Sequence, residues 1–200
     1  MKFLVFDMYG VIIEESKGNF GSFVYSRFPD FDKNYYRELF TKASTGIIDN
    51  NEFFDTLGFT ETQKSMNDYI ENHLKLDKKF IPFAEKYSGK YQFALLSNDV
   101  KEWSEHIRSF HNIGRFFKYT IISAEVGYRK PERKIFEIAL SKMNTKADNC
   151  IFIDNNVKNL VTACEIGMDT ILFNRDGEKF DGNIVNSFDE LDITISNLLS

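Results

Sequence analysis

The chain has 200 residues, with 25 basic against 30 acidic side chains, 42% of them hydrophobic and 28% charged. That length fits one domain of roughly 150 residues with something added, and the apolar share excludes a disordered chain. A net charge of −5 offers no general attraction to nucleic acid or to an anionic membrane.

In chain order, the first apolar run is Phe3–Phe6, ended by Asp7; it is too short to span a bilayer or to act as a secretory signal. The next comparable run is Phe93–Leu96, and one ordinary crossover leaves roughly 60 residues between them unaccounted for, too many for a structureless loop. That stretch has helical period. Tyr36, Leu39, Phe40 and Ala43 form one apolar stripe; Met66, Tyr69, Ile70 and Leu74 form another. Asp49-x-x-Glu52 and Thr60-x-x-Gln63 have the pattern of capping boxes, and Gly58 suits a helix end. A small all-helical unit is therefore expected at residues 15–76, with residues 1–14 and 77–200 as the core.

After Phe93–Leu96 comes Ser97, then a helix face of Val100, Trp103, Ile107 and Phe110 begun by a box-like Asp99-x-x-Glu102. Thr120–Ile122 ends at Ser123. Pro131 suits the first position of a helix carrying Ile135, Phe136, Ala139, Leu140 and Met143. Cys150–Ile153 ends at Asp154 and leads to a stripe of Val157, Leu160, Val161 and Cys164, closed by Gly167. Thr170–Phe173 ends at Asn174. Continuous apolar runs alternating with helices predict an α/β fold with a doubly wound, mainly parallel sheet. Cys150 and Cys164 form no CxxC, and His73, His106 and His111 are scattered. No disulfide scaffold or zinc site is indicated, and a cytoplasmic protein is expected.

Ligands of an open parallel sheet bind beyond the carboxyl ends of its strands. Asp7, Ser97 and Asp154 should meet at that edge, and Lys130 can reach it. A carboxylate pair with a hydroxyl and a lysine suits a small anionic substrate and a hard cation such as Mg²⁺, which offsets repulsion between a carboxylate nucleophile and a phosphoryl group.

Four segments carry a family resemblance: Phe6-Asp7-Met8-Tyr9-Gly10-Val11, Leu96-Ser97-Asn98-Asp99, Gly127-Tyr128-Arg129-Lys130-Pro131 and Phe152-Ile153-Asp154-Asn155-Asn156-Val157-Lys158-Asn159. In this order they resemble the motifs of the haloacid-dehalogenase-like (HAD) hydrolase superfamily, across nearly the whole chain. The resemblance implies a Rossmann-like core with a helical cap inserted after the first strand. It implies Asp7 as nucleophile, with Ser97 and Lys130 as ligands of the transferred group. Mg²⁺ would be held by Asp7, Asp154 and the Tyr9 carbonyl, with Asn155 through a metal-bound water, and Asn98 could orient the bound group.

Tyr9 departs from the phosphatase pattern, which has a second Asp there as general acid and base. A phenol can donate its proton at neutral pH but is a poor base. Dehalogenases of the family do carry Tyr at this place, and Arg37 has the position of a halide-binding cap arginine. They lack a metal, however, and usually have Ser where this chain has Asp154. Three functions thus remain in view: an Mg²⁺-dependent phosphatase or phosphotransferase acting through an aspartyl-phosphate at Asp7, a metal-free 2-haloacid dehalogenase, and a non-catalytic relative. For the first, acyl and aryl phosphates should be preferred over alkyl phosphates. The 21 Phe and 9 Tyr are assigned mostly to packing, with Tyr25, Tyr35 and Tyr36 as candidate cap contacts.

Overall fold

In a computed structural model that describes residues 2–15 and 19–197, six strands form one parallel sheet in the order β3-β2-β1-β4-β5-β6. They are β1 (Phe3–Phe6), β2 (Gln92–Ser97), β3 (Phe117–Ile122), β4 (Cys150–Asp154), β5 (Asp169–Phe173) and β6 (Asn183–Val185). Every residue of β1 and β4 is buried, as central strands covered on both faces must be. Neighbouring β1 and β4 are the point where the strand order reverses, so a crevice lies beyond their ends.

Four helices fill the long interval after β1: α1 (Asn19–Arg27), α2 (Lys33–Ala43), α3 (Asn50–Leu57) and α4 (Thr62–His73). The chain leaves and returns along paired segments, with Glu14 N–H donating to Lys75 O at 2.9 Å and Asp77 N–H to Ile12 O at 2.9 Å. Then come α5 (Phe80–Tyr87), α6 (Lys101–Phe110), α7 (Ser123–Val126), α8 (Arg133–Met143), α9 (Val157–Ile166) and α10 (Phe188–Asn197). One hydrophobic cluster joins one face of the sheet to α5, α10 and the helical insert; a second joins the other face to α8 and α9. The insert shares its apolar core with the sheet domain. Gly46, at φ +72°, closes this contact: a Cβ there would collide with the carbonyl oxygen of Ala124 in α7.

Local signals differ in how well they survive. Asp49 caps α3 by accepting from Glu52 N–H at 2.8 Å, and Gly58 and Gly167 end α3 and α9 in the left-handed region. The Thr60 box does not form, because α4 starts one residue later with Glu61 at its N-cap and no side-chain bond. Asp99 caps nothing either: Val100 is the N-cap residue of α6, and the Asp99 side chain is buried for another purpose. Pro131 lies two residues before α8 rather than in its first turn. On α9 the buried face is Asn159, Leu160 and Ala163, so Val161 and Cys164 are exposed, and Phe110 on α6 is likewise exposed. Expected strand β3 starts earlier, at Phe117. Strand β6 has two exposed residues out of three and no apolar run to betray it. By contrast α10 had a readable stripe, Phe188, Leu191 and Ile195.

Residue 1, residues 16–18 and residues 198–200 lie outside the described residues, as do the parts of the expected core and insert that fall on them. Among the described residues no helix is long and apolar enough to cross a membrane.

Candidate active site

Asp7 follows β1 directly, and its N–H donates to Ile153 O at 2.9 Å, extending the ladder to β4 by one residue. Asp154 ends β4 itself. Sheet topology alone thus sets two carboxylates side by side. Lys130, in the loop between α7 and α8, enters between them: Nζ lies 2.8 Å from Asp7 Oδ1 and 2.7 Å from Asp154 Oδ2. All three side chains are buried, Asp154 completely, Lys130 almost so and Asp7 with a small exposed fraction.

Each member has further support. Asp154 Oδ1 accepts from Asn156 N–H at 2.7 Å, and Oδ2 accepts from Asn159 Nδ2 at 3.0 Å. Lys130 is gripped by its own backbone: its N–H donates to Asn98 Oδ1 at 2.7 Å, and its carbonyl accepts from Asn98 Nδ2 at 2.8 Å. Asp7 uses Oδ1 for both Lys130 and Met8 N–H, leaving Oδ2 uncommitted among the described residues. Ser97 Oγ is buried with no hydrogen-bond partner. An orphaned hydroxyl at the end of β2 costs free energy unless something binds it.

The electrostatics follow from one cation shared by two anions. Burial, reinforced by the Asp154 carboxylate, pushes Asp7 up to about 7 despite the Lys130 ammonium. Burial also penalises the Lys130 ammonium, but Asp154 and Asp7 together outweigh it and hold that group above its ordinary range.

Tyr9 sits on the other side of Asp7 in sequence. Its Oη donates to Asp99 Oδ1 at 3.1 Å, so the phenolic proton is directed into the protein. Burial, with Asp99 next, raises the Tyr9 phenol well above its usual value. Burial likewise raises Asp99 well above the carboxylate range, and its Oδ2 is buried without a partner.

Beside this ionic cluster is a cavity of about 280 Å³ between the insert and the core. Its rings come from Tyr9, Phe20, Tyr36, Phe40, Tyr69 and Trp103, and its polar residues are Asn98 and Glu15. The Phe20 and Trp103 rings meet edge to face at 4.5 Å, and Tyr69 Oη donates to Glu15 Oε2 at 2.8 Å. Asn155 lines a different, more open cavity of about 520 Å³ with Lys158 and Asp176. Arg37 lies on the exposed side of α2, 3.4 Å from Asn34 Oδ1, and is not among the residues lining the aromatic cavity.

The structure therefore brings together Asp7, Asp154 and Lys130, with Asn98 and Tyr9 adjoining and Arg37 apart. Two further participants stand in the segments that carry the resemblance but receive no site role from the sequence. Asp99 has the spacing of a helix cap, whereas its actual place is under the Tyr9 hydroxyl. Asn159 lies five residues after Asp154, where the first turns of α9 return towards the strand end, a spacing that could have suggested it.

The oxygen donors that the structure brings together here for a divalent cation are the Asp7 and Asp154 carboxylates, each within 2.8 Å of Lys130 Nζ. Two carboxylates balanced by one ammonium leave a buried excess of negative charge, and Mg²⁺ commonly binds through one or two carboxylates plus phosphate and water. The donor set fits, although no group of three or more His, Cys, Asp or Glu gathers as a metal cluster among the described residues.

Comparison with known proteins gives these features a family setting. A family model described as haloacid dehalogenase-like hydrolase matches residues 1–167. A glyceraldehyde 3-phosphate phosphatase of Methanothermobacter thermautotrophicus is 32% identical over 111 residues, 54% of this chain and 48% of that protein. The chain thus spans about half the length of that relative. A HAD phosphatase from Thermococcus onnurineus superposes with a TM-score of 0.74 at 20% identity, covering 98% of both chains. A HAD family enzyme of Bacteroides thetaiotaomicron, crystallised with magnesium and inorganic phosphate, superposes with a TM-score of 0.71 at 20% identity, covering 90% of this chain and 98% of its own. At such identities the superpositions show a common fold.

Proposed function

This chain belongs to the haloacid dehalogenase-like hydrolases, and on that premise we propose that it is an Mg²⁺-dependent phosphatase or phosphotransferase for a small phosphorylated metabolite. The observation that carries the reading is the Lys130 ammonium held between two buried carboxylates at the strand-order reversal. Phosphatase relatives support the same class.

In this reading Asp7 Oδ2 attacks phosphorus, the ester P–O bond breaks, and an aspartyl-phosphate forms. Lys130 Nζ and Ser97 Oγ donate to the phosphoryl oxygens, where negative charge must be held through the transfer. Bound through Asp7, Asp154, the Tyr9 carbonyl and Asn155, Mg²⁺ would supply positive charge to those oxygens. Water then attacks phosphorus, phosphate leaves, and the Asp7 carboxylate is restored. Asn98 keeps the Lys130 backbone in place. The helical insert at 15–76 serves as a cap that excludes water and shapes the leaving-group site.

Because the Tyr9 proton is committed to Asp99, a leaving alkoxide receives little help from it. Phenolates and carboxylates need none. Acetyl phosphate and aryl phosphates should therefore turn over faster than alkyl phosphates, and only with Mg²⁺ present. The test is a screen of acetyl phosphate, an aryl phosphate and 2-chloropropionate, each with Mg²⁺ and with chelator. Halide release that persists in chelator, without phosphate release in Mg²⁺, would replace this reading with dehalogenation. No turnover of any of the three would favour a non-catalytic relative.

A further inference from the structure

We propose that the leaving group accepted by this site is a single apolar ring, or a hydrocarbon of that size, carrying no hydroxyls of its own. The proposal rests on the phosphatase reading and adds the substrate class, which departs from the polar sugar phosphate in the name of the matched relative.

The aromatic cavity lies beside the ionic cluster. Tyr9, two residues beyond Asp7, and Asn98, which grips Lys130, both line it. The aromatic cavity and the ionic cluster therefore share a wall. A phosphoryl group seated between Ser97 and Lys130 would direct its ester oxygen towards that shared wall.

The lining next excludes polyols. Its aromatic faces are many, but its donors are already used. Tyr9 Oη donates to Asp99, Tyr69 Oη donates to Glu15, Trp103 Nε1 donates to Asn50 Oδ1 at 2.8 Å, and both halves of the Asn98 amide engage Lys130. Tyr36 keeps one hydroxyl with no partner shown. A leaving group with two or three hydroxyls would find acceptors only at the already engaged Glu15 carboxylate and tyrosine oxygens and few donors to match its own oxygens, whereas an apolar ring gains edge and face contacts with six ring walls.

Size limits the group from the other side. An apolar cavity of about 150 Å³ holds benzene, so about 280 Å³ takes one ring with a short linker but not a nucleoside. Ring geometry agrees with a preformed site. Phe20 contacts Tyr69 at 4.8 Å and Trp103 at 4.5 Å, so the walls support one another before anything binds.

Trp103 makes the test direct, because it is the single tryptophan of the chain and lines the cavity. Its fluorescence should respond to benzylphosphonate, a non-hydrolysable ring ligand, at least about tenfold more tightly than to 3,4-dihydroxybutylphosphonate. With Mg²⁺, kcat/KM for benzyl phosphate should exceed that for glycerol 3-phosphate by a similar factor. Both esters release alcohols of comparable basicity, so the difference reads the cavity and not the leaving-group chemistry. Phe40→Ala should lower the preference about threefold to tenfold by removing one ring face. Equal binding, or a preference for the polyol, overturns the proposal, and the unmodified protein suffices to show it. Hydrolysis of both esters without preference overturns the ring selectivity and leaves the phosphatase reading standing. Ring-selective binding without hydrolysis of either ester or of acetyl phosphate keeps the selectivity and overturns the phosphatase reading.

Discussion

The two halves of the candidate site are built on opposite principles. The ionic half is three side chains, each at a strand end or an adjoining loop, held at 2.7–2.8 Å by one another. The aromatic half draws its rings from the loop after β1, three helices of the insert and α6. Charges buried together demand particular partners, because an unpaired buried ion costs several kcal/mol (roughly 3–5 when one partner is removed). Rings demand only volume and a tolerable angle, and each pair adds about 0.5–1.5 kcal/mol beyond its buried area. The ionic half is therefore brittle, whereas the aromatic half is adaptable, and substitutions should show the difference.

The largest effect is expected at Lys130. Lys130→Met leaves the Asp7 and Asp154 carboxylates facing each other without a cation, and should lower the melting temperature by roughly 10 °C. Phosphate release should fall by about a thousandfold. Acid should narrow the stability deficit by protonating Asp7, whose carboxyl burial and Asp154 already push up to about 7, and calorimetry across pH 4–8 checks both statements. A fully stable Lys130→Met protein at pH 8 would mean that the ion cluster is not a unit.

Tyr9 joins the halves, and its replacement should have a smaller effect of opposite sign. Tyr9→Asp places a carboxyl group where an acid and base is lacking, and should raise turnover of alkyl phosphates about tenfold or more. It also removes the hydroxyl that donates to Asp99 and should cost some stability. Steady-state kinetics with an alkyl and an aryl phosphate decide it: unchanged alkyl turnover refutes the explanation given for Tyr9.

The third effect is a pH-dependent gap. In chelator, Asp7→Asn removes a carboxylate that burial and Asp154 push up to about 7. The unfolded chain ionises Asp7 near pH 4 while the folded one still binds the proton, so the stability cost of Asp7 builds from about pH 4 and is complete above pH 7. The melting temperature of Asp7→Asn should therefore exceed that of the parent protein by a margin that grows across this interval and then levels. A margin that shrinks with rising pH contradicts the electrostatics described above.

What could be read from residues follows the same division. Asp7, Ser97 and Asp154 each interrupt an apolar run, and a doubly wound sheet sends all such ends to one edge. Asp99 was legible as a residue but not as a role, since a carboxyl three residues before Glu102 imitates a capping box until the fold buries it under Tyr9. Arg37 shows the converse: the dehalogenase resemblance suggested a site residue, and helix α2 carries it to the exposed side. The excess of Phe over Leu also acquires a partial reason. Phe20 meets Phe23, Phe53, Phe54, Tyr69 and Trp103, joining insert to core through one stacked and four tilted or edge-on ring contacts that a branched aliphatic group could not make.

By itself the sequence determined the alternation of strand and helix, the long helical interval after β1 and the polar residues at the strand ends, because these depend on periodicity and local breaks. Only the tertiary structure decided that Lys130 would bridge two carboxylates, that Asn98 would hold Lys130, and that six rings would enclose one cavity. Those contacts join residues distant in the chain, and local patterns do not encode such distances.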